Sequence, residues 1–146
     1  MEEIVIASDH AGFELKKKLI VSSKIKAKFI DLGTFSLESV DYPDYAKKLS
    51  LLIKNNEFNK GVLICGSGIG MSMVANRFNM VRAALCINEE MAKLARQHNN
   101  ANILVLGSRL ISESEAIKCL LMFFKTKYDG GRHQARLDKF NLVKYK

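Results

Sequence analysis

At 146 residues, with 48% hydrophobic and 26% charged side chains, the chain is expected to form a single domain over residues 1–146, large enough to bury about 68–70% of its unfolded surface without a disulfide or metal staple. The formal charge of +8 raises nucleic acid as a partner, but the lysines are scattered through Lys16, Lys17, Lys18, Lys24, Lys26, Lys28, Lys47, Lys48 and the tail, with no aromatic interleaving. They read as solvated surface, so no nucleic-acid partner is expected. The acidic start Met1-Glu2-Glu3, the lack of any apolar run near the roughly 18 residues of a membrane span, and three cysteines without a Cys-x-x-Cys pair argue against secretion, a membrane and structural zinc, and for a reducing cytoplasmic location.

In chain order, short apolar runs alternate with amphipathic stretches. Strands are expected at Ile4–Ala7, Ala27–Leu32, Val62–Cys65, Val81–Ile87 and Asn102–Leu106. Helices are expected at Phe13–Ser22, Tyr45–Asn55, Gly70–Arg77, Glu89–His98 and Ser112–Lys127. Five strands with helical crossovers predict a three-layer α/β/α, Rossmann-like domain with a five-stranded parallel sheet. Strand order is not readable from this pattern.

Local chemistry supports several elements. Lysines alternating with apolar residues from Lys24 to Phe29 suit a guarded sheet edge. Pro43 lies in Asp41-Tyr42-Pro43-Asp44-Tyr45, a turn opening a helix. Ser112 and Glu115 match a capping box, and Lys125 and Lys127 complement the dipole at the far end. Ala116, Ile117, Leu120, Leu121 and Phe124 form that helix's expected core face, and Met122 and Phe123 on another side imply a second partner. The tail, about residues 128–146, is anchored only by Leu137, Phe140, Leu142, Val143 and Tyr145, so it must pack on the domain or on a neighbouring subunit.

The segment from Gly61 to Asn76 carries the first chemical signal. Val62-Leu63-Ile64-Cys65 has the pattern of a doubly buried strand, and Gly66, Gly68 and Gly70 follow before a helical spacing resumes. Strand, glycine turn and helix start make an anion site from backbone amides. Cys65 sits at its lip, in a field that favours the thiolate. The plain alternatives are a tight turn needed for packing and a cysteine that serves as a small buried hydrophobe.

In parallel sheets ligands gather beyond the carboxyl ends of the strands. Ser8, Asp9 and His10 follow the first strand, Cys65 and the glycines the third, and Gly107, Ser108 and Arg109 the fifth. His10 reads equally as a turn or cap residue. His98 shares a helix face with Met91, Leu94 and Ala95, so a packed histidine or a helix C-terminal cation is the plain reading. Asn99 and Asn100 suit left-handed caps. Arg132 and Arg136, four apart after Gly130-Gly131, suit a phosphate, and a solvated basic tail is the alternative.

Six segments in register resemble the type B ribose-5-phosphate isomerase family, which also contains allose-6-phosphate and galactose-6-phosphate isomerases. They are Ser8-Asp9-His10-Ala11-Gly12, Asp41-Tyr42-Pro43-Asp44-Tyr45-Ala46, Cys65-Gly66-Ser67-Gly68-Ile69-Gly70, Arg96-Gln97-His98-Asn99, Leu106-Gly107-Ser108-Arg109 and Gly130-Gly131-Arg132-His133-Gln134-Ala135-Arg136. The resemblance implies an aldose–ketose isomerase interconverting ribose 5-phosphate and ribulose 5-phosphate through an enediolate, in the non-oxidative pentose phosphate pathway, with no metal and no organic cofactor. A six-carbon sugar phosphate is the alternative substrate.

By position, the resemblance makes Cys65 the base and the amides of Gly66, Ser67, Gly68, Ile69 and Gly70 the oxyanion site. His98 would open the furanose ring, with Asp9 nearby. His10, Arg132 and Arg136 would bind phosphate, and Asn99 and Arg109 would complete the substrate site. A homodimer or homotetramer with sites shared between subunits is implied. Ser67 stands where threonine is frequent and keeps the hydroxyl.

Two other classes compete. A dinucleotide-binding oxidoreductase is disfavoured because Met71 stands where the third fingerprint glycine belongs and Asn88, not an acid, comes after the next strand. A non-catalytic sugar-phosphate sensor or nucleic-acid binder would have no need of Cys65, His98 and both arginines together.

Overall fold

The computed structural model describes residues 1–140. Its elements are β1 (Glu3–Ser8), α1 (Phe13–Val21), β2 (Lys28–Asp31), α2 (Tyr42–Lys54), β3 (Gly61–Cys65), α3 (Ile69–Ala75), β4 (Ala83–Leu85), α4 (Glu89–Asn99), β5 (Ile103–Gly107), α5 (Glu113–Lys125) and α6 (Arg132–Leu137). The strands form one parallel sheet in the order β2-β1-β3-β5-β4. The expected three-layer α/β/α architecture is therefore present. The central strands β3 and β5 are buried along their whole length, which is why they read as continuous apolar runs rather than alternating ones.

Alternate strand residues feed two cores. Ile4, Ile6, Val62, Ile64, Leu104 and Leu106 pack with α1, α4 and α5 on one face. Val5, Ala7, Leu63, Cys65, Ile103 and Val105 pack with α2 and α3 on the other. Cys65 is thus the last residue of a central strand, on the α2–α3 side.

Several elements differ from expectation, each for a local reason. β4 covers only Ala83–Leu85, because the Val81 amide turns back to Phe78 and Arg82 donates to the Asn102 side chain. α2 begins at Tyr42, three residues early, since proline fits the first helical turn where no amide is needed. α3 begins at Ile69 and lasts only seven residues. In α5 the buried face runs through Cys119 and Phe123, with Leu121 and Phe124 only partly covered. Its extra apolar surface is taken up within the chain, where Phe124 meets Phe29 at 6.4 Å between centroids. The capping box is half formed: Ser112 Oγ accepts from the Glu115 amide, but the Glu115 carboxylate accepts from the Glu89 amide instead.

The guarded edge is β2, where Lys28 reaches Glu3 at 3.0 Å. The tail folds back through α6 onto α4; Leu142, Val143 and Tyr145 lie outside the described residues.

Lys16 is fully buried, contrary to its reading as solvated surface. Its Nζ donates to Asp31 Oδ1 at 2.6 Å and to the Thr34 carbonyl at 2.5 Å, beneath the Phe35 ring. Burial pushes the ammonium below the usual lysine range, and the bond to Asp31 pulls it back up. The contact pins residues 31–34, whose Gly33 and Thr34 pair with Ser8 just before Asp9 and His10. Lys16→Met leaves the Thr34 carbonyl unpaired and Asp31 with only the Gly33 amide. It is expected to cost about 3–5 kcal/mol in urea denaturation, and an unchanged midpoint would contradict this.

Candidate active site

At the carboxyl edge of the sheet, Cys65 ends β3 with its sulfur 3.2 Å from the Gly68 amide, which donates to it. Gly68 makes this possible with φ +77°, a conformation that costs other residues about 1 kcal/mol or more. Its position also admits no side chain, since a Cβ there would meet Leu85 and the β5 backbone. The amides of Gly66, Ser67 and Gly70 find no acceptor among the described residues, while Ile69 donates to Ser67 Oγ. With α3 only seven residues long, these amides rather than a long helix dipole supply the positive field.

Neighbouring turns complete this edge. Buried Asp9 accepts from the Gly12 amide at 3.0 Å. His10 Nδ1 accepts from the Val40 amide at 3.1 Å, which leaves Nε2–H as the donor of the neutral ring. The Arg109 guanidinium lies against Gly66, and the Arg109 amide donates to the Gly66 carbonyl. Tyr42 packs against Gly70. Its neighbours in the sequence signal a helix start, but nothing local reveals that contact.

His98, Asn99, Arg132 and Arg136 are elsewhere. α4 starts beyond the carboxyl end of β4 and ends beside Asn100–Asn102, where the Asn102 carbonyl accepts from Gly61 at the opposite end of β3. Four residue steps of strand, roughly 13 Å, therefore separate that end from Cys65. α6 sits with α4: the His98 and His133 rings stack at 4.5 Å and 17°, and the Asp129 amide donates to the Gln97 carbonyl. Arg132 and Arg136 are exposed on α6, whereas His133 is buried. Each chain thus carries two groups of site residues at opposite edges of one sheet. Asp9, expected near His98, is not near it within one chain.

His98 is half-buried in the last turn of α4, stacked on His133, while Ala95 of its face is buried and Met91 and Leu94 are exposed. Asn100 is the left-handed cap, at φ 46°, and Asn99 is the last helical residue. Buried Arg96 holds the end of α4 by donating to the Thr126 and Ala101 carbonyls. Among the described residues, His98, Asp129 and His133 form the one group of three possible metal donors, within 4.8 Å of one another. Nearly parallel rings do not converge their lone pairs on a single ion, and the charges of Arg132 and Arg136 act on the same group.

The other two cysteines are chemically distinct from the catalytic candidate. Burial pushes the Cys86 thiol up to about 12, with Cys119 adding to it. Burial likewise pushes Cys119 up to about 12, aided by Glu115 and Glu89. Only the thiolate reacts, so folded Cys65→Ala protein at pH 8 is expected to take up no iodoacetamide over an hour-scale assay. Rapid single-site modification would contradict this.

A buried thiol held against a backbone amide, with unpartnered amides and a guanidinium beside it, suits a small anionic ligand. The sequence profile of the Ribose/Galactose Isomerase family matches residues 4–140. A ribose 5-phosphate isomerase structure from Thermotoga maritima superposes with TM-score 0.92 at 52% identity, covering 97% of this chain and 99% of that one. The ribose-5-phosphate isomerase B of Mycoplasma genitalium, solved with bound ribulose-5-phosphate, superposes at 0.87 with 46% identity, covering 94% and 92%. The Escherichia coli ribose-5-phosphate isomerase B is 38% identical over 144 residues, 98% of this chain and 97% of its own. The chain belongs to the ribose/galactose isomerase family.

Proposed function

We propose that this chain interconverts ribose 5-phosphate and ribulose 5-phosphate through an enediolate, at sites each assembled from two subunits. The observation that carries the reading is the thiol of Cys65 facing the Gly68 amide with unpartnered amides beside it. In the open-chain aldose, a Cys65 thiolate takes the C2 proton while negative charge moves to O1. The amides of Gly66, Ser67, Gly68, Ile69 and Gly70 surround the place where that oxyanion develops, and preorganised donors of this kind are worth about 3–4 kcal/mol each. The thiol then returns its proton to C1 while the O2 proton passes to O1, leaving a ketone at C2 and a hydroxyl at C1, so protons and electrons balance without a cofactor.

The substrate's other requirements fall to the second group of residues together with His10 and Arg109 of the first. His98 gives a proton to the furanose oxygen when the ring opens. Arg132 and Arg136, four apart on one exposed helix face, take the phosphate together with His10 Nε2–H, and Asn99 and Arg109 hold hydroxyls. Remote phosphate binding then holds the reacting carbons in place.

Opposite edges of a sheet cannot close on one ligand, and a second copy resolves this. Ile69 and Met73 on α3, Ile87 after β4, and Met91 and Leu94 on α4 are exposed apolar residues flanking the unpaired edge of β4. Two copies related by a two-fold axis and packed through this face set the Cys65 edge of each against the α4–α6 end of the other. A homodimer is the minimal unit on this reading, and a tetramer is a pair of such dimers.

The substrate test is turnover of ribose 5-phosphate against allose 6-phosphate, followed by proton magnetic resonance. Ribose 5-phosphate is expected to have the higher kcat/KM. A preference for allose 6-phosphate would overturn the five-carbon assignment.

A further inference from the structure

We infer that His133 is a positioning residue for His98, holding its imidazole plane toward the sugar's ring oxygen. The inference rests on the ring-opening role proposed for His98 and adds a residue to which that reading gave no part.

His98 is the penultimate residue of α4, and an imidazole at a helix end has free rotation about two side-chain bonds unless something blocks it. His133 supplies the block. It is only 9% exposed, and its ring covers one face of His98 at 4.5 Å with the planes 17° apart. Its own position is fixed from both sides. The His133 amide donates to the Gly130 carbonyl in the first turn of α6, and the Asp129 amide donates to Gln97, the residue before His98. The plate and the ring it supports are thereby tied through two backbone bonds only a few residues long.

Charge assists the geometry. Desolvation first, then the nearby His98, Arg132 and Arg136, hold His133 below the ordinary imidazole range, against the opposing pull of Asp129. The Asp129 carboxylate lies within 4.8 Å of both rings.

The test separates ring opening from proton abstraction. Ribulose 5-phosphate is acyclic, so exchange of its C1 protons in deuterated water needs the base and the oxyanion site but no ring opening. His133→Ala frees the ring, and a misplacement of about 1 Å costs roughly 100-fold. Conversion of ribose 5-phosphate should fall by about that factor, while C1 exchange stays within about twofold. His133→Phe keeps a flat plate and is expected to recover most of the loss, and it shows that the alanine result is not misfolding. Equal loss of both reactions in His133→Ala, or loss of neither, overturns the inference. His98→Asn is the control. If it loses exchange as fully as isomerisation, the ring-opening reading itself fails and takes this inference with it; if it keeps exchange, the His133 result stands alone.

Discussion

Cys65→Ala is expected to lower kcat for ribose 5-phosphate by at least about 10²–10⁴-fold while leaving its dissociation constant within about threefold. The asymmetry follows from where the sulfur sits. It is the last residue of β3, 4% exposed, and it accepts a hydrogen bond from the Gly68 amide. Truncation removes the proposed proton acceptor and its bond from Gly68 but leaves the β3 ladder to β1 and β5 and the packing of the Gly68 turn against β5. The Gly68 amide, freed of its acceptor, can still face an oxyanion. On the proposed assignment most binding energy comes from the phosphate, at Arg132, Arg136 and His10, none of which the substitution touches. Turnover by proton magnetic resonance and binding by titration calorimetry measure the two quantities separately. Equal turnover by wild type and variant would remove Cys65 from the mechanism.

The parts of the fold that local chemistry dictates are readable in the sequence. Continuous apolar runs mark β1, β3 and β5 because a parallel strand between two helical layers has no solvated face. Ser112 marks the start of α5 because its hydroxyl accepts from the Glu115 amide. Asp9, His10, Cys65 and Arg109 all stand at or just beyond the carboxyl end of an apolar run, and parallel strands bring those ends to one edge of the sheet.

Features that long-range geometry decides are not readable. Lys16-Lys17-Lys18 looks like one solvated run, yet Lys16 is buried because Asp31, fifteen residues away, lies beneath it. The Val81–Ile87 run is apolar except at Arg82, but only three of its residues pair in the sheet, since apolar patterning reports burial and not hydrogen bonding. Phe123 and Phe124 exchange their expected roles in α5 because both sides of that helix meet apolar neighbours. The separation of His98 from Cys65 depends on the direction in which α4 returns along the sheet, which no local spacing reports. If Cys65 and His98 act on one substrate, as proposed, that separation calls for a second copy.

The shared site predicts restoration of activity from two inactive proteins. Cys65→Ala and His98→Ala chains each lack one half of every site in their own homodimers. Dissociated together and reassociated at random, half of the dimers pair one chain of each kind. In such a dimer one site joins an intact Cys65 edge to an intact His98 end, and the other carries both defects. About one site in four across the mixture is then intact, so roughly a quarter of wild-type turnover should return. This mixing experiment tests the central claim most directly. Recovery to about that level is the result expected, whereas a mixture no more active than its two components would contradict a site built from two subunits.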